Sequence, residues 1–324
     1  MKRAHIWPRT SLGVLAILLA VCAQPAVAQS VRELHRTFTV SLAAPVDLKV
    51  DLSQGDLQIA YSREGQVSIS AVVQIPAGMT VPEDFLDTQV TIETVGNHLE
   101  IRDQLRAGPN EIKIAYTIDV PYRTEVHSTL DRGKQTITGI TGPVKADSHK
   151  GNINVSYVSG SVAAQTGSGD MDFQVIGDRV EAKTGSGNIS CSRSAKGISA
   201  ETEDGDISLM VVGPSTASVR HGSGRIDAGG VRGTLLASTD AGDLHVKAVP
   251  HDDWQLTSAA GNVRIELPPA AKFEVDATTI SGEVLINRDD LEKTNAAAGH
   301  FDQKANGGGK RVQIHTDRGK IVIT

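Results

Sequence analysis

Paired aspartates in the middle of the chain come closest to a catalytic arrangement. Asp170 and Asp172 are separated by one residue, which places both carboxylates on one face of a β-strand. Asp204 and Asp206 repeat this spacing. Two carboxylates about 5–9.5 Å apart can hydrolyse a glycosidic bond, so a polysaccharide-active enzyme is one hypothesis. It stays an alternative, because no cluster of His or Arg accompanies the acids and tight turns select Asp by themselves.

Oxygen-bearing side chains also recur one position after a series of glycines, and such a column could hold calcium. A calcium-stabilised adhesin is therefore a second alternative. The repeat here has 18 residues, whereas the calcium-binding β-roll repeats every nine or so. Turn chemistry is the preferred interpretation, so we predict no metal site, no cofactor and no catalytic residue. The column consists of Asp56, Lys134, Asn152, Asp170, Asn188, Asp206, Arg225, Asp243, Asn262, Glu283 and Lys320.

The remaining nucleophiles and metal ligands are isolated in the sequence. Gly-Ser-Gly recurs, but never as the Gly-x-Ser-x-Gly turn of a hydrolase. His221 beside Ser223 is interpreted as part of an interior row of hydroxyls, and His251–Asp253 as a solvated turn. Cys22 lies in an N-terminal apolar run, where the bulky preceding residue disfavours lipid attachment. Cys191 occupies an inward position, where we expect a buried and unreactive thiol.

The spacing of the glycines predicts the elements that hold these residues. Glycines recur every 18 or 19 residues from Gly133 to Gly261, with apolar residues at alternate positions on both sides. Alternation of period two indicates β-strands, and a repeat of this length indicates one coil of a solenoid. We therefore predict an all-β, single-domain parallel β-helix, or β-solenoid, with two short strands per coil. The corner glycines are Gly55, Gly133, Gly151, Gly169, Gly187, Gly205, Gly224, Gly242, Gly261, Gly282 and Gly319.

Four sections are expected after the N-terminal segment. Residues 29–125 alternate less regularly and are expected to close the first end of the solenoid, and residues 126–286 form the regular coils. Residues 287–310 form a loop excursion, in which 289–298 could be a short helix. Residues 311–324 form the last coil. Since no strand follows it, its edge is expected to pair with another chain.

The first 28 residues have the features of a secretory signal peptide. A basic start precedes the apolar run Leu12–Ala23, and the small residues Ala26–Ala28 indicate cleavage after Ala28. The apolar run is too short for a spanning helix. The mature chain, residues 29–324, is therefore predicted to be exported, to the periplasm or out of the cell, without a membrane span.

Charge and composition exclude some partners. The sequence has 32 Lys and Arg, 38 Asp and Glu, and a net charge of −6 with His neutral. Loss of the three cations in the signal peptide changes this to −6 − 3 = −9. There is no basic stripe with interleaved aromatic residues, so we expect no nucleic-acid partner.

Several motifs together resemble a known family. The corners read Ser-Gly-Asp-Ile or close variants, Val120-Pro121 precedes the regular coils, and Leu267-Pro268 follows them. Gly307–Gly309 comes before a last Thr-x-x-Gly-x-Ile coil. This set is similar to the bacterial β-strand-repeat "putative adhesin" domain family of unknown function, over about residues 35–324. The resemblance implies an exported β-helical protein of the cell envelope, and it supplies no functional residue to carry over.

The preferred interpretation is a non-catalytic, exported scaffold or a binding and adhesion module of the cell envelope. Polar side chains in rows on the outer walls, such as Gln165, Lys183 and Glu201, suit repetitive partners. The expected partners are envelope polysaccharide, another protein, or a second copy paired through the C-terminal strand edge. A localised function is expected where the repeat breaks, in the opening section or in Asn287–Lys310.

Overall fold

A computed structural model describes residues 32–42, 44–63, 66–75, 78–105, 112–220, 222–291 and 295–324. The predicted signal peptide and His221 lie outside the described residues. Apart from one five-residue helix and the connections, the described chain is β-strand, and most strand pairs are parallel, as predicted for a β-solenoid. No helix in the described part is long and apolar enough to cross a lipid bilayer.

The opening section is less regular than the coils that follow. Its elements are β1 (Arg32–Val40), β2 (Val46–Gln54), β3 (Leu57–Tyr61), β4 (Val67–Ile75), α1 (Phe85–Gln89), β5 (Val90–Val95), β6 (His98–Asp103) and β7 (Lys113–Val120). β2 and β3 form the first coil around Gly55, and on one side they pair in parallel with β6 and β7. Antiparallel strands then finish this end. β5 pairs with β6, β4 pairs with β7, and β1 pairs with the other edge of β4.

Two walls of parallel strands make up the regular coils. The first wall contains β8 (Thr124–Arg132), β10 (Val144–Lys150), β12 (Val162–Ser168), β14 (Val180–Ser186), β16 (Ile198–Asp204), β18 (Ser215–Val219), β20 (Leu235–Thr239) and β22 (Trp254–Ser258). The second wall contains β9 (Gln135–Thr138), β11 (Ile153–Val158), β13 (Met171–Ile176), β15 (Ile189–Ser194), β17 (Ile207–Met210), β19 (Ile226–Gly229), β21 (Leu244–Lys247) and β23 (Val263–Glu266). Equivalent residues pair in register, for example Val162 with Val180.

Apolar side chains stacked between the walls form the core. Val162, Ala164 and Met171 show the pattern of one coil, because alternate residues on both sides of the corner glycine are buried. Strands of period two send every second side chain inward, so each coil adds its row to the row before. Trp254 replaces the aliphatic residue of its column. It is buried, and its indole N–H donates to the carbonyl oxygen of Gly233 at 3.1 Å.

The corner glycines cannot be replaced without moving the neighbouring coil. Gly169 has φ +147°, and a Cβ built there would overlap the backbone carbonyl oxygen of Gly151. Gly187 and Gly205 repeat this overlap with the glycine one coil earlier. The sequence requires glycine at this corner both for the backbone angle and for the close approach of successive coils.

The closing section differs from the prediction. Its strands are β24 (Phe273–Ile286), β25 (Asn295–Ala305), β26 (Lys310–Thr316) and β27 (Ile321–Ile323). The predicted helix and loop are therefore wrong over Asn295–Ala305, which is a strand antiparallel to β24. Residues 292–294 lie outside the described part. An antiparallel neighbour satisfies the backbone groups along the outer edge of β24, and this explains why the segment is extended.

The last strand in the sequence is also not the last strand in space. β26 and β27 lie between two coils, because they pair in parallel with β22 and β23 on one side and with β24 on the other. The predicted self-association through the C-terminal strand edge is therefore wrong. Both edges of Ile321–Ile323 are already occupied by strands of the same chain.

Candidate functional site

The residues that follow the corner glycines form a ladder of hydrogen bonds between coils. The side-chain oxygen of Asn152 accepts from the backbone N–H of Asp170 at 3.0 Å, and Asp170 accepts from Asn188 at 2.8 Å. Asn188 accepts from Asp206 at 2.8 Å, and Asp206 from Arg225 at 2.7 Å. A cationic side chain ends the run because it has no acceptor. This row is called the Asx ladder below.

The hydroxyls on the inner side of the same corner form a second ladder. Thr166 donates to the carbonyl oxygen of Gly151 at 3.2 Å, and Thr184 donates to that of Gly169 at 3.3 Å. Each hydroxyl thus bonds to the corner glycine of the neighbouring coil. Equivalent bonds are made by Thr202, Thr239, Ser258, Thr279 and Thr316.

These ladders give structural roles to the acids that suggested an enzyme or a calcium row. Asp170 and Asp206 each use a carboxylate oxygen to hold the next coil. Asp172 accepts from the side chain of Gln174 at 2.6 Å, while Asp204 is exposed at the end of its strand. In the part of the chain that the structure describes, no group of three or more His, Cys, Asp or Glu is arranged to hold a metal ion.

The other candidates from the sequence are separated in space or buried. Asp252 pairs with the amine of Lys310 at 3.1 Å, and Asp253 accepts from the backbone N–H of Arg311 at 3.0 Å. Both acids therefore position the start of β26 rather than forming a ligand cluster with their neighbouring histidine. Cys191 is buried, and burial raises the pKa of its thiol to about 12. Such a thiol stays protonated and unreactive.

Charged side chains on the outer face of the first wall pair with each other. The amine of Lys183 lies 3.5 Å from the carboxylate of Glu201, which also pairs with Arg220 at 3.2 Å. Surface pairs of this kind add little stability, and they leave a shallow polar face. This wall presents the predicted row that includes Gln165, but its depression encloses only about 290 Å³.

A second corner lies six residues after each corner glycine, where the chain leaves the second wall. Its backbone is left-handed in four successive coils, with φ of 54° at Tyr157, 56° at Val175, 62° at Arg193 and 55° at Val211. Such a conformation costs an L-residue about 1–2 kcal/mol. Retained strain marks a place to look for function. We name this row the corner edge, and it comprises Tyr61, Gly139, Tyr157, Val175, Arg193, Val211 and Gly230.

A groove of about 590 Å³ lies at one end of the corner edge. Val211, Val249 and Leu267 contribute to its apolar floor, and Gly230 adds no side chain beside Val211. Two of these apolar side chains are open to solvent, with Val211 43% and Val249 37% exposed. Concave, largely apolar spaces of roughly 300–1,000 Å³ are typical of ligand sites. The groove is the candidate functional site.

Two cationic side chains, Arg232 and Lys247, and one acidic side chain, Glu266, line this groove. Glu266 lies 2.9 Å from Arg264, 3.2 Å from Lys247 and 3.3 Å from His245. The hydrogen bond from Arg264 is the main cause that lowers the pKa of Glu266 to about 2. Arg232 also lines the groove and forms no ion pair with any described residue. Among the lining side chains, Lys247 is paired with Glu266 and Arg232 has no such partner among the described residues, so Arg232 favours an anionic group on a ligand.

Polar groups inside the opening coils are less completely paired than elsewhere. Asp103 accepts from the backbone N–H and the hydroxyl of Ser53, at 3.0 and 2.6 Å. Burial is the main cause that raises the pKa of this carboxyl, and burial also raises the pKa of Tyr116. Ser148 stands at a position of the hydroxyl ladder but makes no such bond. The buried side-chain atoms without a partner in the described residues are Gln54 Nε2, Asp103 Oδ2, Tyr116 Oη and Ser148 Oγ.

Comparison with known proteins identifies the architecture. A family model described as Toastrack DUF4097 matches residues 47–324. No curated protein matches the chain. Solved structures are similar at low identity, and likeness at this level carries no conclusion about ligands. A "putative adhesin" of Parabacteroides distasonis is 16% identical, covers 74% of this chain and 98% of its own, and has a TM-score of 0.41. One of Bacteroides fragilis is 12% identical, covers 91% and 99%, and has a TM-score of 0.32. A "Putative lipid binding protein" of Parabacteroides distasonis is 12% identical, covers 90% and 96%, and has a TM-score of 0.35.

The groove was not predicted from the sequence, which indicated a localised function in the opening section or in Asn287–Lys310. One signal was available, because the glycine spacing changes from 18 to 19 between Gly242 and Gly261, and the strand register places the extra residue between Leu244 and Trp254. Ala248, Val249 and His251 of this longer connection line the groove. A change of one residue in a regular coil alters the connection between the walls, and here that connection forms the concave surface.

Proposed function

The chain belongs to the Toastrack family, DUF4097, and on that premise we propose that it is a non-catalytic, exported binding module of the cell envelope. The groove beside Gly230 carries the proposal, because it combines a concave space of about 590 Å³ with the exposed apolar side chains of Val211 and Val249. The Asx ladder supports a non-catalytic role, because it gives backbone-holding roles to Asp170 and Asp206, two of the four acids considered for an enzyme.

The chemistry of the groove specifies the class of ligand. An apolar floor with exposed Val211 and Val249 gains free energy when an apolar group covers it. A rim where cations outnumber acids, and where Arg232 has no counter-ion among described residues, favours an anionic end on that group. The proposed ligand is therefore an amphiphile with an acyl or ring portion and one anionic head, such as an envelope component supplies.

The experiment uses an anionic fluorescent probe, 1-anilinonaphthalene-8-sulfonate, and two displacing ligands, laurate and uncharged dodecanol. We expect saturable fluorescence enhancement, and displacement by laurate at lower concentration than by dodecanol. Val249→Asp places a charge on the apolar floor and is expected to weaken probe binding at least about tenfold, which corresponds to 1.4 kcal/mol. Arg232→Gln is expected to lower the affinity for laurate more than the affinity for dodecanol.

The matched control is Leu236→Asp, because Leu236 has a similar exposure of 42% on the first wall, away from the groove lining. It should bind the probe as the unchanged protein does. Equal loss in Leu236→Asp and Val249→Asp would indicate nonspecific adsorption and contradict the proposal. Displacement by dodecanol and laurate at the same concentration would contradict the anionic part of it.

A further inference from the structure

The exposed aromatic side chains of this protein are gathered in one place. The whole sequence has only four Tyr, two Trp and five Phe. Among the described residues, the exposed aromatic ones are Tyr61, Tyr122 and Tyr157, at 42%, 52% and 63% exposure. The remaining tyrosine, Tyr116, is buried. An aromatic-poor protein that exposes three tyrosines together presents a patch that its own folding does not require.

The strand register shows how two of these rings are arranged. Tyr61 ends β3, Gly139 follows β9 and Tyr157 lies in β11, so the three occupy the same corner-edge position in successive coils. A Cβ built on Gly139 would lie 3.2 Å from the Cβ of Tyr61, closer than side chains normally approach. Gly139 therefore leaves the position between Tyr61 and Tyr157 without a side chain, and this position is called the slot below.

The width of the slot suits one flat ring. Successive strands are about 4.8 Å apart, so the backbones of Tyr61 and Tyr157 are separated by roughly 9–10 Å across Gly139. A ring in contact with an aromatic face on each side needs about 3.5–4 Å per contact, hence about 7–8 Å in total. The ring of Tyr122 supports that of Tyr61, with the two centroids 5.4 Å apart in an edge-to-face arrangement of 70°.

Polar side chains lie next to the slot residues in the strand register and in the sequence. The hydroxyl of Ser156 donates to that of Thr138 at 3.0 Å, directly before Tyr157 and Gly139. Arg63 and Arg123 are exposed, follow Tyr61 and Tyr122 closely in the chain, and form no ion pair with described residues. A pyranose offers an apolar face of C–H groups for stacking and a rim of hydroxyls for hydrogen bonds.

Charge narrows the class of sugar. Among the described residues, Arg63 and Arg123 form no ion pair, and the acid nearest in the strand register is Asp119, whose partner is Ala60 beside Tyr61. The sequence as a whole is negative, with a net charge of −6, so a polyanion is repelled by most of the surface and attracted only where cations are unpaired. The slot is thus suited to a saccharide that carries carboxylates.

We propose that the tyrosine slot, formed by Tyr61, Tyr122 and Tyr157 over Gly139, binds a sugar ring of an acidic polysaccharide. The inference rests on the proposed binding function but uses a different end of the corner edge from the groove. A solenoid exported to the envelope would thereby hold a polysaccharide chain at one point and an amphiphile at another.

The test measures binding by titration calorimetry with oligogalacturonate as the acidic probe and an isomalto-oligosaccharide as the neutral one. We expect the unchanged protein to bind the acidic probe more tightly. Tyr157→Ala and Tyr61→Ala are expected to weaken binding about tenfold each, whereas Tyr157→Phe retains the ring and should stay within about threefold of the unchanged protein. Arg123→Gln should lower the affinity for the acidic probe and make that affinity less dependent on salt concentration.

The matched control is Arg193→Ala, which removes an exposed cation from a left-handed position of the same corner edge, two coils beyond Tyr157. It should bind oligogalacturonate unchanged. Circular dichroism and the melting temperature check that each variant is folded. Unchanged binding by Tyr157→Ala, or equal binding of both probes by the unchanged protein, overturns the proposal.

The two proposals fail separately. Val249→Asp should leave oligogalacturonate binding unchanged, and Tyr157→Ala should leave laurate binding unchanged. If the unchanged protein binds oligogalacturonate but not laurate, only the groove proposal is contradicted. If it binds laurate but not oligogalacturonate, only the slot proposal is contradicted. The tyrosines could instead form a protein interface. In that case the unchanged protein would dimerise, Tyr157→Ala would dimerise less, and neither would bind a saccharide. That result would overturn the slot proposal.

Discussion

The glycine corner and the corner edge occur in the same coils, yet they follow opposite rules. At the glycine corner the same residue types return, and side chains such as Asn188 and Thr184 bond to the backbone of the neighbouring coil. At the corner edge the residue changes from Tyr157 to Val175 to Arg193, the backbone is left-handed, and no common bond joins the side chains. The side chains of the glycine corner are used in bonds that stabilise the fold. Those of the corner edge are not, so they are available for binding.

The largest effect is expected at the glycine corner. Gly169→Ala should destabilise the protein by at least about 3 kcal/mol, because the added Cβ overlaps the carbonyl oxygen of Gly151 and the backbone is in a region that favours glycine. Urea unfolding measures it. Gly307→Ala is the control, since its φ is +87° but nothing lies within 4 Å of the added Cβ. It should cost only about 1–2 kcal/mol, and equal losses would show that crowding is not the cause.

A smaller effect is expected at Asp103, a buried carboxyl with one oxygen atom that has no hydrogen-bond partner among the described residues. Burial raises the pKa of Asp103, so its folded state favours the protonated form. Stability from this group is therefore complete at pH values below its unfolded pKa and is lost as pH rises through its folded pKa. Asp103→Asn removes this loss and keeps an oxygen for Ser53. It should stabilise the protein on the order of 1 kcal/mol at pH 8, and less at pH 4.

Urea unfolding at both pH values checks this, with Asp131→Asn as a control on an exposed acid of β8, the strand on the other side of β2. The control should show no comparable dependence on pH. A variant of Asp103 that is equally stabilised at pH 4 and pH 8 would show that ionisation is not the cause.

The Asx ladder should be sensitive to loss of the acceptor but not to loss of charge. Asn188→Ala leaves the N–H of Asp206 without its side-chain partner, at an expected cost of about 0.5–1 kcal/mol because water can replace the bond. Asp170→Asn keeps an accepting oxygen and should be neutral within about 0.3 kcal/mol. Chemical denaturation distinguishes the two, and a destabilising Asp170→Asn would give the charge a role that the ladder does not need.

The smallest effect is expected at the corner edge. Arg193→Gly relieves a left-handed backbone worth about 1–2 kcal/mol, offset by about 0.5–1 kcal/mol of extra entropy in the unfolded chain. The variant should therefore be as stable as the unchanged protein or slightly more stable. Its neighbour Ser192 lies within β15, so Ser192→Gly should be destabilising by about 0.5–1 kcal/mol. Thermal melting compares them, and a clear loss in Arg193→Gly contradicts the strain argument.

Much of the glycine corner could be predicted from the residues alone. Gly169 and its equivalents, the alternating Val and Ala, and the Thr row repeat at one spacing, and each repeat reports the same local requirement. The corner edge could not be predicted in this way. Nothing in the residue types of Val175 or Arg193 favours a left-handed backbone, so the surrounding coils impose it.

The end of the solenoid shows the same limit. Chain order suggested that Ile321–Ile323 would be an open edge. The chain instead returns and places these residues between β23 and β24, pairing in parallel with both. Pairing between strands that are far apart in the sequence depends on which strand edges are free in the folded protein. The periodicity of the sequence does not indicate which edges these are. The predicted open edge followed from assuming that order in the chain is order in space.

By itself the sequence determined the coil: its length, its two strands, the glycine at its corner and the side chains that face inward. These follow from local rules, because a period of two and a tight approach at glycine hold wherever the pattern occurs. Only the tertiary structure decided what the surface offers. The groove beside Gly230 and the slot over Gly139 arise from missing side chains next to retained ones in neighbouring coils, and such neighbours are brought together only by stacking.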